Sequence, residues 1–260
     1  MIQSTKNNLL KAGVFITSVT QIISPLFSTF RDNKPEYSTD PQITPAGYTF
    51  AIWGVITLLA LLYGTYQLLP QRKNRDLHQK LSKGIILVYI LFSAWLFAAD
   101  RDWQIVTLLI FLLMFFTLRV LLEIILKEQQ KLNLLEKIIL EAQIAIYTGW
   151  STIAIFANIG SVIKFYGFSD LGMTGILWQS ILLLAALGNS ILGLYKFSAN
   201  LFYAATILWA FTGVFVGLQD ESNVSLLKIL AILGIVVVLV MVFYVRSKNN
   251  TKMLQRASFM

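Results

Sequence analysis

Apolar residues in this chain fall in long unbroken runs, separated by short polar or charged stretches. A run of about 20 apolar residues matches a hydrocarbon core about 30 Å thick, crossed at about 1.5 Å per residue. The first run, 12–30, follows Lys6 and Lys11 and carries Thr17, Ser18, Thr20 and Gln21. A basic start before an apolar stretch has the outline of a secretory signal. No A-x-A-like cleavage site follows, so a retained helix is expected. A polar loop, 31–44, contains Pro35 and Pro41 and leads to the second run, 45–69. Pro45 suits the first turn of a helix, where a missing N–H costs little.

The stretch Gln71–Lys83 holds Arg72, Lys73, Arg75, Lys80 and Lys83, and reads as a solvated loop with His78 at the surface. Further helices are expected over 84–99, 103–126, 134–159, 172–195, 200–218 and 225–245. Asp100-Arg101-Asp102 makes a charged turn, and the fifth helix begins amphipathically around 134–141. Arg119 and Glu123, four residues apart near the end of the fourth run, read as a snorkelling pair.

Eight such runs predict an all-α polytopic membrane helix bundle with eight transmembrane helices. Composition agrees: 57% of the residues are apolar and 13% charged, against about 25% charged in soluble domains. A β-barrel would need alternating segments of about ten residues. With both termini inside, 15 basic residues lie on inner segments and 5 on outer ones, with Arg119 inside the fourth helix. That bias predicts cytoplasmic termini, in a bacterial inner (plasma) membrane, and accounts for the net charge of +8 without a nucleic-acid partner. The chain has no cysteine and one histidine, so no disulfide, metal site or haem-type cofactor is expected. No internal repeat of the transporter kind is evident. Gly213 and Gly217, and Ala185, Asn189 and Gly193, are small residues spaced for close helix packing.

Candidate chemistry sits on the aromatic residues. Tyr147, Trp150, Ala154 and Asn158 follow at spacings of 3, 4 and 4 and share one face of the fifth helix. They form either a packed stripe with an inter-helix hydrogen bond, or a pocket wall of aromatic faces and polar anchors. Trp53 lies eight residues after Pro45, about 12 Å along a helix axis. At that depth, Trp53, Trp95 and Trp150 are expected to line one hollow in the outer half of the membrane, under loop 31–44. Trp103 and Trp178 start their helices and read as interfacial belt residues; Trp209 is unassigned.

Tyr147-x-x-Trp150-x-x-x-Ala154-x-x-x-Asn158 resembles the last helix of the TspO/MBR family (translocator protein, tryptophan-rich sensory protein), whose pattern is P-Y-x-x-W-x-x-x-A-x-x-x-N. Pro45 and Trp53 match that family's P-P-x-W-V-F-G-P-V-W stretch at its second proline and final tryptophan. Trp95 and Phe97 resemble the aromatic positions of its L-N-x-x-W-S-x-L-F-F motif. The likeness covers residues 9–160 and is greatest to longer relatives whose second helix begins TPAGY-x-F-x-IWG. Thr44, Gly47, Ala51, Phe92 and Ile146 depart from the pattern, and helices 6–8 have no counterpart in the five-helix family.

The resemblance implies a five-helix core over 1–160, with 161–260 adding three helices and a basic cytoplasmic tail. It implies a hydrophobic small molecule, porphyrin/tetrapyrrole or sterol-like, bound in a cavity in a sensory or regulatory role, and admits a homodimer. Trp53, Trp95, Tyr147, Trp150 and Asn158 would line the cavity, with Tyr48 and Phe50 near its mouth. The apolar spans offer no catalytic constellation, so the reading leans away from an enzyme, although some family members are reported to act on protoporphyrin. The alternative is a small-molecule membrane transporter using the same cavity.

Overall fold

A computed structural model describes residues 2–28, 40–69 and 75–257. Among the described residues there are eight helices and no strand: α1 Ile2–Ser28, α2 Ile52–Leu68, α3 Arg75–Ala99, α4 Gln104–Lys127, α5 Leu134–Phe165, α6 Gly172–Lys196, α7 Leu201–Gly217 and α8 Ser225–Ala257. The polytopic all-α bundle read from the apolar runs is therefore the fold. Among the described residues seven helical spans are long and apolar enough to cross a membrane, α2 only when the 3-10 turn Gly47–Ala51 before it is counted with it. The eighth, α7, is apolar but has 17 residues, about 25 Å of helix.

Hydroxyl side chains inside the spans are tolerated because they fold back onto their own helix. Thr17 donates to the Gly13 carbonyl at 2.7 Å, Thr148 to Ile144 at 2.6 Å and Ser190 to Ala186 at 2.7 Å. A hydroxyl satisfied this way carries no desolvation debt in lipid.

The chain forms two compact units. The first contains α1, Ala51–Thr148 and hence α2, α3, α4 and the first half of α5. Within it α1 packs on α2 and α3, and α3 packs on α4. Gly64 lets α2 approach α1: a Cβ there would overlap the Ser18 hydroxyl and lie 3.1 Å from the Phe15 Cα. The second unit contains Asp40–Phe50 and the chain from Gly149 onward. Its core gathers Ile43, Leu182, Leu183, Val214, Leu218 and Leu227 from the segment before α2 and from α6, α7 and α8. The Asn200 side chain accepts from the Tyr203 N–H at 3.1 Å and caps α7. Tyr203 then reaches Thr152, hydroxyl to hydroxyl, at 3.1 Å.

Three elements differ from the sequence reading. Pro45 does not sit in the first turn of an α-helix: Gly47–Ala51 is a 3-10 turn and α2 begins at Ile52. The Ala46 N–H is bonded to the Gly213 carbonyl at 2.9 Å instead, and the Thr49 hydroxyl closes the turn on the Ala46 carbonyl.

The solvated loop expected over 71–83 is helical from Arg75, with residues 71–74 outside those described. Leu77, His78, Leu81, Ser82 and Ile85 are all buried, a 3.6-residue repeat that the surrounding charges hide.

The start of α5 is not uniform. Leu134–Glu136 is α-helical, Lys137–Ala142 is a π-helical turn, and the α-helix resumes at Gln143. Such π turns are rare and re-aim the side chains beyond them.

Candidate functional site

In the first unit, rings from four helices meet. Trp53 of α2 lies 5.7 Å from Trp95 and 4.9 Å from Phe92, both on α3, and 5.4 Å edge-to-face from Tyr147 of α5. Trp95 also packs against Phe111 of α4 at 5.6 Å. Offset and edge-to-face arrangements place the positive rim of one ring against the negative face of another. Phe92, Phe111 and Tyr147 are buried, while Trp53 and Trp95 are half-buried. The Tyr147 hydroxyl donates to the Met114 sulfur at 3.0 Å.

In the second unit, Trp150 is buried and meets Phe50 edge-to-face at 5.5 Å. Tyr48 meets Trp209 in the same geometry at 5.4 Å, and the Trp209 indole N–H donates to the Thr49 carbonyl at 3.1 Å. Trp209, unassigned from sequence, thus helps hold the 3-10 turn. The Asn158 amide donates to the Ala154 carbonyl of its own helix at 2.9 Å.

Of the seven residues singled out in the sequence, Trp53, Trp95 and Tyr147 therefore form one ring cluster, and Phe50 and Trp150 form a pair. A separate groove of about 390 Å³ in the first unit is lined by Ser24, Phe27, Ser93, Leu96, Phe97, Asp100 and Arg101. None of the cluster residues lines it. The Arg101 guanidinium lies 3.4 Å over the Phe97 ring there.

A second feature was not foreseen. His78 is fully buried, not at the surface, and its Nε2 lies 2.9 Å from Oε1 of Glu136, also fully buried. The Tyr66 hydroxyl donates to the same Oε1 at 3.0 Å. The other oxygen, Oε2, accepts the Asn133 N–H at 3.1 Å, half of a capping box that starts α5. On the far side of the ring, Gln67 donates to the Tyr63 oxygen, which lies 3.1 Å from His78 Nδ1. A consistent chain of donors runs Gln67 N–H to Tyr63, Tyr63 O–H to Nδ1, and Nε2–H to Glu136.

The signal for this network was available in sequence. Leu77, His78, Leu81 and Ile85 share a helical face, and Asn133-x-x-Glu136 is a capping-box spacing.

A family model described as TSPO-like protein matches residues 9–244. The match continues beyond residue 160, through α6 and α7 and over most of α8. No curated protein and no solved structure matches the chain.

Proposed function

We propose a ligand-binding role on the premise that this chain belongs to the TSPO-like family, matched over residues 9–244. It is an integral membrane protein whose apolar helices face the lipid bilayer. In this reading it binds a flat hydrophobic molecule, tetrapyrrole-type or sterol-like, and serves a sensory or regulatory role. Trp53 and Trp95 contact the ligand, with Tyr147 in the layer behind Trp53. In the second unit, taken by itself, Tyr48, Phe50, Trp150 and Asn158 are proposed as a separate set of ligand-facing residues. The membrane is proposed to be a bacterial inner membrane with both termini in the cytoplasm.

One observation supports this reading above the others. Trp53 and Trp95, from two different helices, are half-buried beside the fully buried Phe92, Phe111 and Tyr147. Half-buried indoles backed by a rigid aromatic layer offer a large apolar face that gives up little side-chain entropy on binding.

Titration of the purified protein with porphyrins and sterols, followed by quenching of tryptophan fluorescence, tests it. Trp53→Ala and Trp95→Ala are expected to weaken binding on the order of tenfold, while Trp209→Phe, outside the cluster, leaves it unchanged. Affinity unaltered in both cluster variants removes the reading. Gradient-driven accumulation of the same molecules in proteoliposomes would move it to a transporter.

A further inference from the structure

The interior of the first unit is layered. Along α3 His78 comes first and Trp95 later, and along α5 Glu136 comes first and Tyr147 later. The His78–Glu136 pair joins the two helices at one level, and the Phe92–Tyr147 contact at 6.5 Å joins them at another. α2 runs the opposite way, with Trp53 at the aromatic level and Tyr63 at the acid–base level.

Between these levels lies a third. Tyr89 is one turn before Phe92 on α3, and Gln143 is one turn before Tyr147 on α5. Gln21 of α1 approaches the Tyr147 phenol, and Tyr89 lies near the phenols of Tyr63 and Tyr147. Gln21 comes near Tyr147 without hydrogen-bonding geometry, and the Tyr147 hydroxyl is already directed at Met114.

Gln21, Tyr89 and Gln143 are each fully buried. Both side-chain polar atoms of Gln21, both of Gln143 and the Tyr89 hydroxyl have no hydrogen-bond partner among the described residues. Elsewhere in these spans buried hydroxyls fold back onto their own helix. Leaving a buried polar group unpaired is costly, so five such atoms at one level point to an occupant supplied from outside the chain. The groups themselves say what kind. Two amides and a phenol offer donors and acceptors without charge. Among the described residues of this unit the buried carboxyl and imidazole side chains are Glu136, Glu141 and His78; the described lysine and arginine side chains are half-buried or exposed. A ligand carboxylate at the middle level would be desolvated with no buried lysine or arginine, among the described residues of this unit, to pair with.

We propose that Gln21, Tyr89 and Gln143 form a subsite for the uncharged, hydrogen-bonding head of a ligand whose flat body lies against Trp53 and Trp95. This rests on the ligand-binding reading above and specifies its ligand class: a neutral amphiphile rather than an ionised carboxylic acid.

The test uses the full chain in detergent with two probes of the same ring system, protoporphyrin dimethyl ester and protoporphyrin free acid at neutral pH. The ester is expected to quench tryptophan fluorescence at a concentration at least about tenfold lower than the acid. Gln143→Leu and Tyr89→Phe are each expected to weaken the ester about three- to tenfold. The melting temperature of the ligand-free protein should hold or rise, because an unpaired buried group has been removed. Tyr89→Phe deletes a single oxygen, so it decides the matter should Gln143→Leu fail to fold. Equal or tighter binding of the acid, or ester affinity unchanged in both variants, overturns the subsite and leaves water as the partner of these atoms. Absence of quenching by both probes is a different result and overturns the ligand-binding reading itself.

Discussion

The imidazole Nε2 of His78 lies 2.9 Å from the Glu136 carboxylate, both side chains fully buried and 58 residues apart in the chain. One carboxylate thereby does two jobs. Oε2 caps the start of α5 through the Asn133 N–H, and Oε1 receives His78 from α3 and Tyr66 from α2. This end of the unit carries a buried polar network set within apolar packing from Leu77, Leu81 and Leu140. Burying such groups stabilises only if every member is satisfied.

Removing one partner should therefore be expensive. Glu136→Ala and His78→Ala are each expected to destabilise the protein by about 3–5 kcal/mol, the usual cost of leaving half of a buried pair behind. The double variant should lose clearly less than the sum of the two, with a coupling of about 0.5 kcal/mol or more. Thermal unfolding of the three variants in detergent checks this. Single variants within about 0.5 kcal/mol of the parent would mean that the network is incidental.

The helical bundle was legible in the sequence because a bilayer demands uninterrupted apolar runs, a signal that needs no knowledge of contacts. His78 is hidden, because Arg72, Lys73, Arg75, Lys80 and Lys83 give Gln71–Lys83 the charge of a solvated loop. The buried face Leu77, His78, Leu81, Ile85 is visible only when the same residues are read at helical spacing. At the candidate site, Trp53 meets both Trp95 and Tyr147, ring contacts between helices that the spacing along any one helix does not specify. Asn158 lies on the expected face, yet its amide turns back to the Ala154 carbonyl. A side chain of that length can always satisfy itself this way, and residue identity does not say when it will. The 3-10 turn before α2 depends on the Gly213 carbonyl, 167 residues after Ala46 in the chain, which no local pattern encodes.

Ring contact and hydrogen bonding at Tyr147 can be separated. Tyr147→Phe keeps the edge-to-face contact with Trp53 and removes only the hydroxyl bond to the Met114 sulfur, a weak acceptor. Its cost should fall at or below about 1 kcal/mol. Trp53→Ala, which strips the ring shared by Phe92, Trp95 and Tyr147, should cost about 3 kcal/mol, at the low end for an aromatic because Trp53 is half-buried. Denaturant or thermal unfolding ranks the two, and the reverse order would show that the cluster contributes little to stability.

Between α4 and α5 the chain carries an exposed pair, Glu128 and Lys131, 2.6 Å apart. The hydrogen bond from Lys131, and then its charge, holds the Glu128 carboxyl below its ordinary value; Lys80 adds to the same effect. A carboxyl with a lowered folded value contributes its stability above the ordinary carboxylate range and loses it as pH falls through the lowered one. Lys131→Ala should move the Glu128 carboxyl upward toward its ordinary value, with Lys80 still holding it down in part, read by NMR of the labelled side chain. The melting temperature at neutral pH should stay unchanged, since exposed pairs contribute little. A fall in melting temperature at neutral pH would contradict that assignment.

Gly213 sets the closest approach in the second unit. Its carbonyl accepts the Ala46 N–H, and a Cβ at this position would overlap the Thr49 Cγ2 and sit 3.2 Å from the Pro45 Cβ. Gly213→Ala is expected to push the 3-10 turn off α7 and to destabilise by about 1–3 kcal/mol, as overpacking does. The Trp209 indole reports the displacement, because its N–H is bonded to the Thr49 carbonyl; its emission should shift to the red as that bond loosens. Thr49→Ser removes the methyl that clashes while keeping the hydroxyl that closes on Ala46. The double variant should therefore regain part of the lost stability and of the Trp209 emission, the Pro45 contact keeping the rescue incomplete. A double variant no better than Gly213→Ala alone would place the constraint on the backbone rather than on the Thr49 methyl.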